Sequence, residues 1–528
     1  DGTPSMKSQT MSPAKIDLTG GIGIRASASV SFDEHQDYTV WGTLSSPVRF
    51  WVNWRARNPG YQGGRLSIFS GYIVNNTFRV ENFQRRDYVI ESFSNDTNGA
   101  VIGAKDALKM ASGDRAKAPR KSTGILSADI TAISMMVTLL PSGVGDLEYP
   151  ASGFGRIGDE VVSFTRSGDV FTITRGQYST IAEDHDENDL FQLCLHYNDT
   201  IEAIEYDLLT TYANVPLAQI DLTQWEEEAN LNLPGLYEGI ITEPTGVSDL
   251  LKETGESAPH YMYWDERTNL IKWVAIKSPP TTANCYTSES HILEGSSKIV
   301  DQPDMRISTV IVRFGQVDPT KDLDEASNYR QAQVRITPDS ITKYGGIEKY
   351  KVINTRWINN SNRVAAVRLG ARLGRRFEEM PRMISFNLDA SAADIWTGDP
   401  ITIDSDLILN DSGNRYCMPA QIITSGESGP YQYTALEHVY GAELTEDLGS
   451  EDPFARPISL SGNLDQLKDQ DGNPQTLRDV YDSIYPDLLN TYTVTVTFEN
   501  SCVAGSNVNT AFAVDTGDWS ELSGGANL

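Results

Sequence analysis

Histidine and cysteine are scarce, at six and four in 528 residues. Cys194, Cys285, Cys417 and Cys502 stand far apart with no Cys-x-x-Cys pair, which removes the close ligand spacing that zinc and iron–sulfur centres need. No metal site and no cofactor is expected, and the thiols read as buried or isolated. Long apolar runs are lacking too. The longest, from Ile130 to Leu140, is too short to span a bilayer and is broken by Thr131, Ser134 and Thr138, so it reads as strand. The residues after Asp1 show no signal-peptide pattern. Positive charge is the third deficit: 43 Lys and Arg against 72 Asp and Glu leave a formal net charge of −29. Such a chain repels the nucleic-acid backbone unless its cations are concentrated, whereas an acidic wall suits a channel that DNA passes without sticking.

What the chain does have is turn chemistry. The 42 Gly and 24 Pro fit many short strands, and the length fits about three to five domains, so a β-dominated α+β, multidomain fold is expected. Val161–Thr165 and Val170–Thr174 are β-branched and aromatic runs around Ser167-Gly168-Asp169, which predicts a hairpin. Gly176 would take a positive φ just after it. Arg175 and His185, close to several acids, read as a local charge cluster rather than a catalytic site, because a histidine switch or ligand needs partners that the sequence does not show.

The period then changes along the chain. Ala26, Ala28, Val30 and Phe32 alternate as a half-buried strand. The aromatics of Phe50-Trp51-Val52-Asn53-Trp54, followed by a Pro-Gly turn and a strand, read as core rather than a sugar platform. Residues 104–110 predict a short helix before a basic loop. Ile201, Ile204, Leu208 and Tyr212 share one helical face, further short helices follow near 221–229 and 248–253, and 261–264 with 270–276 reads as a hairpin across Asp265-Glu266-Arg267-Thr268-Asn269. After Asn360, Ala366, Leu369, Leu373, Phe377 and Met380 form one stripe of a helix over 361–380, ended by Pro381. Its other side gathers Arg363, Arg368, Arg372, Arg375 and Arg376. A solvated face is the default for these, and Arg368, Arg372, Arg375 and Arg376 are the candidate subunit-interface residues, docking on a negative neighbouring surface. Glu, Asp, Gly, Ser and Pro after Glu443 mark a linker, Asp469–Asn473 is a turn rather than a calcium loop, and 491–498 alternates as a last strand.

Several short motifs occur in a telling order: Gly23-Ile24-Arg25-Ala26-Ser27, Trp54-Arg55-Ala56-Arg57-Asn58-Pro59, Ala104-Lys105-Asp106-Ala107-Leu108, Lys117-Ala118-Pro119-Arg120, Tyr149-Pro150-Ala151-Ser152-Gly153, Gly155-Arg156-Ile157-Gly158-Asp159-Glu160 with Thr174-Arg175-Gly176-Gln177-Tyr178, then Arg375-Arg376-Phe377, Pro381-Arg382 and Trp396-Thr397-Gly398-Asp399. Together, over residues 15 to 440, this set resembles the tail hub proteins of long-tailed, Mu-related siphophages. The resemblance implies two tube-like β-barrel domains (1–123 and 300–445), an inserted small β-module (124–192), an α+β domain (193–299), and a linker with a C-terminal β segment (446–528) leading toward a fibre or spike. It implies a homotrimeric baseplate or tail-tip hub that adapts a sixfold tail tube to a threefold tip. Its partners would be a distal tail protein, the tape measure protein, tail fibre or spike proteins and other baseplate proteins. DNA would be only transit cargo, and the hub would be assembled in the host cytoplasm and carried at the virion's tail tip.

No catalytic residue is expected. The main rival is a secreted glycan-binding or glycan-hydrolysing β-rich protein; a retaining hydrolase needs two carboxylates about 5 Å apart in a cleft, and Asp159-Glu160 and Asp265-Glu266 do not differ from turn acids. A bacterial surface adhesin, monomeric or filamentous, is a further rival.

Overall fold

The computed structural model describes residues 5–18, 21–23, 26–37, 48–70, 84–112, 115–278, 283–389, 395–410, 412–426, 432–438, 458–461, 493–499 and 507–513. The fold is β-dominated and built from several sheets with few helices. Besides a seven-stranded sheet that runs from Ile125–Leu126 to Tyr237–Ile241, two large sheets come from sequence-distant parts of the chain. A five-stranded antiparallel sheet takes Met6–Ser12, Ser27–Asp33, Gly99–Lys105, Gln84–Asn95 and Arg65–Ser70 in that order. Ala28 and Val30 face its core, as the alternation requires. A six-stranded sheet takes Asn284–Thr287, Pro400–Asp404, Met418–Gly426, Gln432–Glu437, Arg382–Asn387 and Lys298–Asp301, with its own core around Phe386, Ile401, Met418, Ile422 and Tyr433.

The two are laced together. Ile16 donates its N–H to Ile423 O at 2.9 Å, and Thr424 Oγ1 donates to Ala14 O at 3.1 Å. Residues 21–22 pair in parallel with Tyr261 and Met262 of the central hairpin.

Between them lies the largest core. It collects Ile16 and Leu18, Ala107, Leu108, Ala111, Ala116 and Ala118, the helices Ile201–Asp207, Leu222–Asn232 and Val247–Ser257, the hairpin His260–Asp265/Leu270–Ala275, and, unexpectedly, the helix Arg363–Phe377 with the strand Thr309–Gln316. Asp221 and Asn362 each accept a backbone N–H to cap their helices. At its centre Glu205, wholly buried, accepts from Thr254 Oγ1, from Trp273 Nε1 at 2.6 Å and meets His260 Nε2 at 3.0 Å. Residues 309–377 thus share a core with 201–276, while the six-stranded sheet has a core of its own and, of its buried residues, lends only Ile423 and Leu436 to the larger one. The boundary near 300 follows no gap in packing.

The small module has a core of its own, from Leu126 to Phe191. Glu160–Ser167 and Val170–Gln177 pair as the expected hairpin, with Gly168 at φ +59° and Gly176 at φ +60°. The strand Phe191–Asp199 runs through the expected boundary at 192, pairing with Ser152–Ile157 at one end and with Tyr237–Ile241 at the other. Of the 130–140 run only Met136–Leu140 is strand; Ile130 bridges to His185 instead. Phe50–Arg57 is a helix, and its aromatics pack as expected: Trp51, Trp54 and Phe93 lie 5.0–6.1 Å apart between ring centres. The linker after Glu443 and the Asp469–Asn473 turn lie outside the described residues, whereas the strand expected over 491–498 is present as Thr493–Glu499 but is not the last, since Asn507–Ala513 follows and pairs with it.

Candidate functional site

The turn Asp265–Asn269, at the tip of the central hairpin, is where the two large sheets are clamped. Glu266 reaches into the five-stranded sheet: Arg86 Nε donates to its Oε2 at 3.2 Å and Tyr88 OH to its Oε1 at 3.2 Å, all three groups being buried. Asn269, at φ +54°, accepts from Asp87 N at 3.1 Å and donates to Arg85 O at 3.3 Å. Arg267 reaches the other way, with Nη1 and Nη2 on the two oxygens of Asp399 at 3.1 and 3.0 Å. Burial alone would lower the Arg267 pKa, but the bonds to Asp399 outweigh it and raise it. Asp399 is fixed in turn by Trp396 N at 2.8 Å, and the Arg86 guanidinium lies 5.1 Å over the Trp396 ring. Gly398, at φ +96°, leaves room for the Tyr263 hydroxyl where any Cβ would collide.

Trp396-Thr397-Gly398-Asp399 is therefore one jaw of the clamp. Sequence reasoning placed both jaws in turns and saw no more. The signal present was the density of polar residues at a hairpin tip whose flanking stretches, Tyr261–Trp264 and Leu270–Ala275, are apolar but for Lys272.

The four candidate interface arginines lie elsewhere, and inside. Arg368, Arg372, Arg375 and Arg376 are 8%, 5%, 4% and 1% exposed. Arg368 Nη1 donates to Pro234 O at 2.7 Å; Arg372 donates to Ile276 O at 3.1 Å and to Asn232 O at 2.6 Å. Arg376 lies near His438, whose Nε2 donates to Lys277 O at 2.9 Å; burial first and the Arg376 charge second push the His438 pKa well below its usual 6.5. The helix side expected to be solvated, or to dock on a neighbour, is thus an inner face. The physical reason is that the carbonyls ending neighbouring segments need donors in a dry place, and guanidinium groups reach them. Gly370 and Gly374 lie on another side of the helix, where a Cβ on Gly374 would meet Arg335 Nε at 2.6 Å, so the helix is closely covered there as well.

In the module, Arg175 and His185 are brought together by an acid the sequence did not single out as their partner. Glu160, with no exposed side-chain area, receives Arg175 Nε at 2.8 Å and Nη2 at 2.6 Å, His185 Nε2 at 2.9 Å and Gly176 N at 2.9 Å. Burial would raise its pKa, but Arg175, His185 and the backbone donors together hold it below the usual 4.5. Asp159, its neighbour, is 82% exposed on its side chain, so the two acids do not share a cleft. Asp265 and Glu266 are likewise committed to turn and clamp. Among the described residues no group of three or more His, Cys, Asp or Glu has metal-binding geometry.

A third feature is an apolar surface. Thr309–Gln316 is flanked by Tyr329–Ile336 and, in parallel, Tyr350–Asn354. Val310, Val312 and Phe314 face the core. On the outer face Ile311 lies between Val334 and Val352, and Thr309 between Ile336 and Tyr350. Val334, Ile336, Tyr350 and Val352 are 47%, 56%, 61% and 44% exposed.

No protein-family model matches the chain, and no curated protein does. Among solved structures it is similar to the prophage tail protein gp18 of Listeria monocytogenes EGD-e (11% identity, 82% of this chain and 89% of that one, TM-score 0.36). It is also similar to the 43 kDa tail protein of prophage MuSo2 from Shewanella oneidensis (8%, 81% and 94%, 0.37) and to a tail protein from Neisseria meningitidis MC58 (12%, 60% and 91%, 0.28).

Proposed function

We propose that this chain is a structural protein of a bacteriophage tail, and within the tail a trimeric hub at the tip that adapts a sixfold tube to a threefold end and lies along the path of genome ejection. The ordered motif set supports the family. The observation that carries an assembly role is the exposed outer face of Val334, Ile336, Tyr350 and Val352, since a contiguous apolar sheet face on a chain of net charge −29 marks a surface meant to be covered. Its occupant in this reading is a neighbouring copy of the chain. Two β units held rigidly side by side by the Glu266 and Arg267 contacts would let three subunits present six β units to a tube. The distal tail, tape measure and fibre or spike proteins then meet the ring, and its acidity lets DNA pass without adhering.

The test is particle mass by light scattering for the unaltered chain and for Val334→Lys/Val352→Lys. A trimer that falls to a folded monomer in the double variant supports the reading. A chain that is monomeric at every concentration overturns the hub; a trimer untouched by the two lysines moves the interface off this face.

A further inference from the structure

Two thiols expected to be isolated stand together on the six-stranded sheet. Cys285 lies in Asn284–Thr287, the end strand of the sheet, which is held by a single parallel ladder to Pro400–Asp404. Cys417 lies just before Met418–Gly426, two strands over by sheet order. The turn between Leu409 and Arg415 swings this stretch back over the end of the intervening strand: Arg415 Nε donates to Asp404 Oδ1 at 2.9 Å, while Nη1 reaches Glu289 Oε1 at 2.8 Å beyond it. Both cysteines are exposed and unbonded, and their sulfurs are 3.0 Å apart. That is about 1 Å more than a disulfide bond.

We propose that Cys285 and Cys417 are a redox-modification site: they close an intramolecular disulfide by exchange with a low-molecular-weight disulfide, stapling the end strand to the sheet. In the first step the Cys285 thiolate attacks one sulfur of the reagent, forming a mixed disulfide and releasing one thiolate. In the second, deprotonated Cys417 attacks the Cys285 sulfur, forming the Cys285–Cys417 bond and releasing the second thiolate. The chain loses two electrons and two protons, and the reagent is reduced to two thiols. The hydrogen bond with Cys285, then burial and nearby charge, push the Cys417 thiol up to about 11, which suits it to the second, intramolecular step. Cys194 does not compete, being buried at the seam between the module and Tyr237–Ile241, where burial raises its pKa far above the ordinary value.

The linked residues are 132 positions apart, so the bond would close a long loop and constrain the unfolded chain strongly. None of this depends on the tail reading, because it needs only the two thiols and an oxidising disulfide.

The test uses the full chain carrying Cys502→Ser, incubated natively with glutathione at about a tenfold excess of reduced over oxidised form. Expected are a loss of about 2 Da in intact mass, a joined Cys285–Cys417 peptide, and a melting temperature higher by something on the order of 5 °C that reduction reverses. Cys285→Ser and Cys417→Ser should each abolish all three. Glutathione adducts at both cysteines, chain-to-chain disulfide dimers, or two thiols left unmodified would each overturn the proposal.

Discussion

The small module and the helix Arg363–Phe377 both bury arginine, and they do it for opposite ends. In the module the charge is cancelled on the spot: Arg175 and Glu160 form an ion pair whose remaining bonds, to His185, Gly176 and the carbonyls of Glu183, Thr131 and Ser134, all stay inside the module and span at most 44 residues of sequence. On the helix, Arg368 and Arg372 spend their donors on carbonyls of Pro234, Asn232 and Ile276, roughly a hundred residues or more away. A charge paired locally fixes a loop, whereas one spread over distant carbonyls fixes one element to another. The module should therefore fail by itself, and the helix should take the shared core with it.

The sharpest way to break this contrast is charge reversal on the helix. Arg372→Glu leaves two buried carbonyls without donors and puts a carboxylate beside them, a loss of more than about 4 kcal/mol. Hydrogen exchange should show the core of 201–276 and 309–377 opening while the module amides stay protected. An assembly defect in a chain whose core exchange is unchanged would restore a subunit-interface role to this helix.

The reciprocal change is Glu160→Gln. A neutral amide cannot balance Arg175, and an orphaned buried guanidinium costs roughly 3–5 kcal/mol. Here the amides of 155–185 should lose protection and those of the shared core should not. Acid separates the regions again. Glu160 has a folded pKa below 4.5, so the unfolded chain takes the proton first; its stabilisation is complete above pH 4.5 and is lost as pH falls below that value toward the depressed folded one. His438 has a folded pKa well below 6.5, so its contribution is complete above pH 6.5 and starts to be lost already as pH falls below it. Exchange measured from pH 7 to 4 should thus show the contacts near Lys277 and Arg376 weakening before the module does, and His438→Gln should remove the earlier phase alone.

A smaller effect confined to the module comes from Gly155→Ala. The added methyl overlaps the buried Phe191 ring, and overpacking of this kind costs about 1–3 kcal/mol. A module melt lowered with no change in the shared core is the expected calorimetric result.

Much of the local structure was legible because it follows from period and turn chemistry. The module hairpin, the 260–275 hairpin and the helix after Asn362 each carry a repeating apolar pattern closed by Gly, Asn or Pro, and each is found. What was illegible depends on what covers the second side. A helical pattern tells which side of Arg363–Phe377 is apolar, not that Pro234, Asn232 and Ile276 close over the other. The helix Phe50–Arg57 was illegible because its eight residues are too few to show a clear apolar period, although Trp51 and Trp54 pack from it onto Phe93. The clamp escaped because Glu266 and Arg86 are distant in sequence, and no single motif contains both halves of an ion pair.

The lacing of Ala14 and Ile16 to Thr424 and Ile423 has a consequence for how the chain is made. A nascent polypeptide leaving the ribosome presents residues 14–16 early, but the strand they join emerges some four hundred residues later. The module, whose contacts are local, can fold as soon as it is synthesised. Residues 14–16 must wait for these last partners until translation is nearly through the described β units. A truncated product would keep a folded module and leave that segment open to non-native pairing or chaperones.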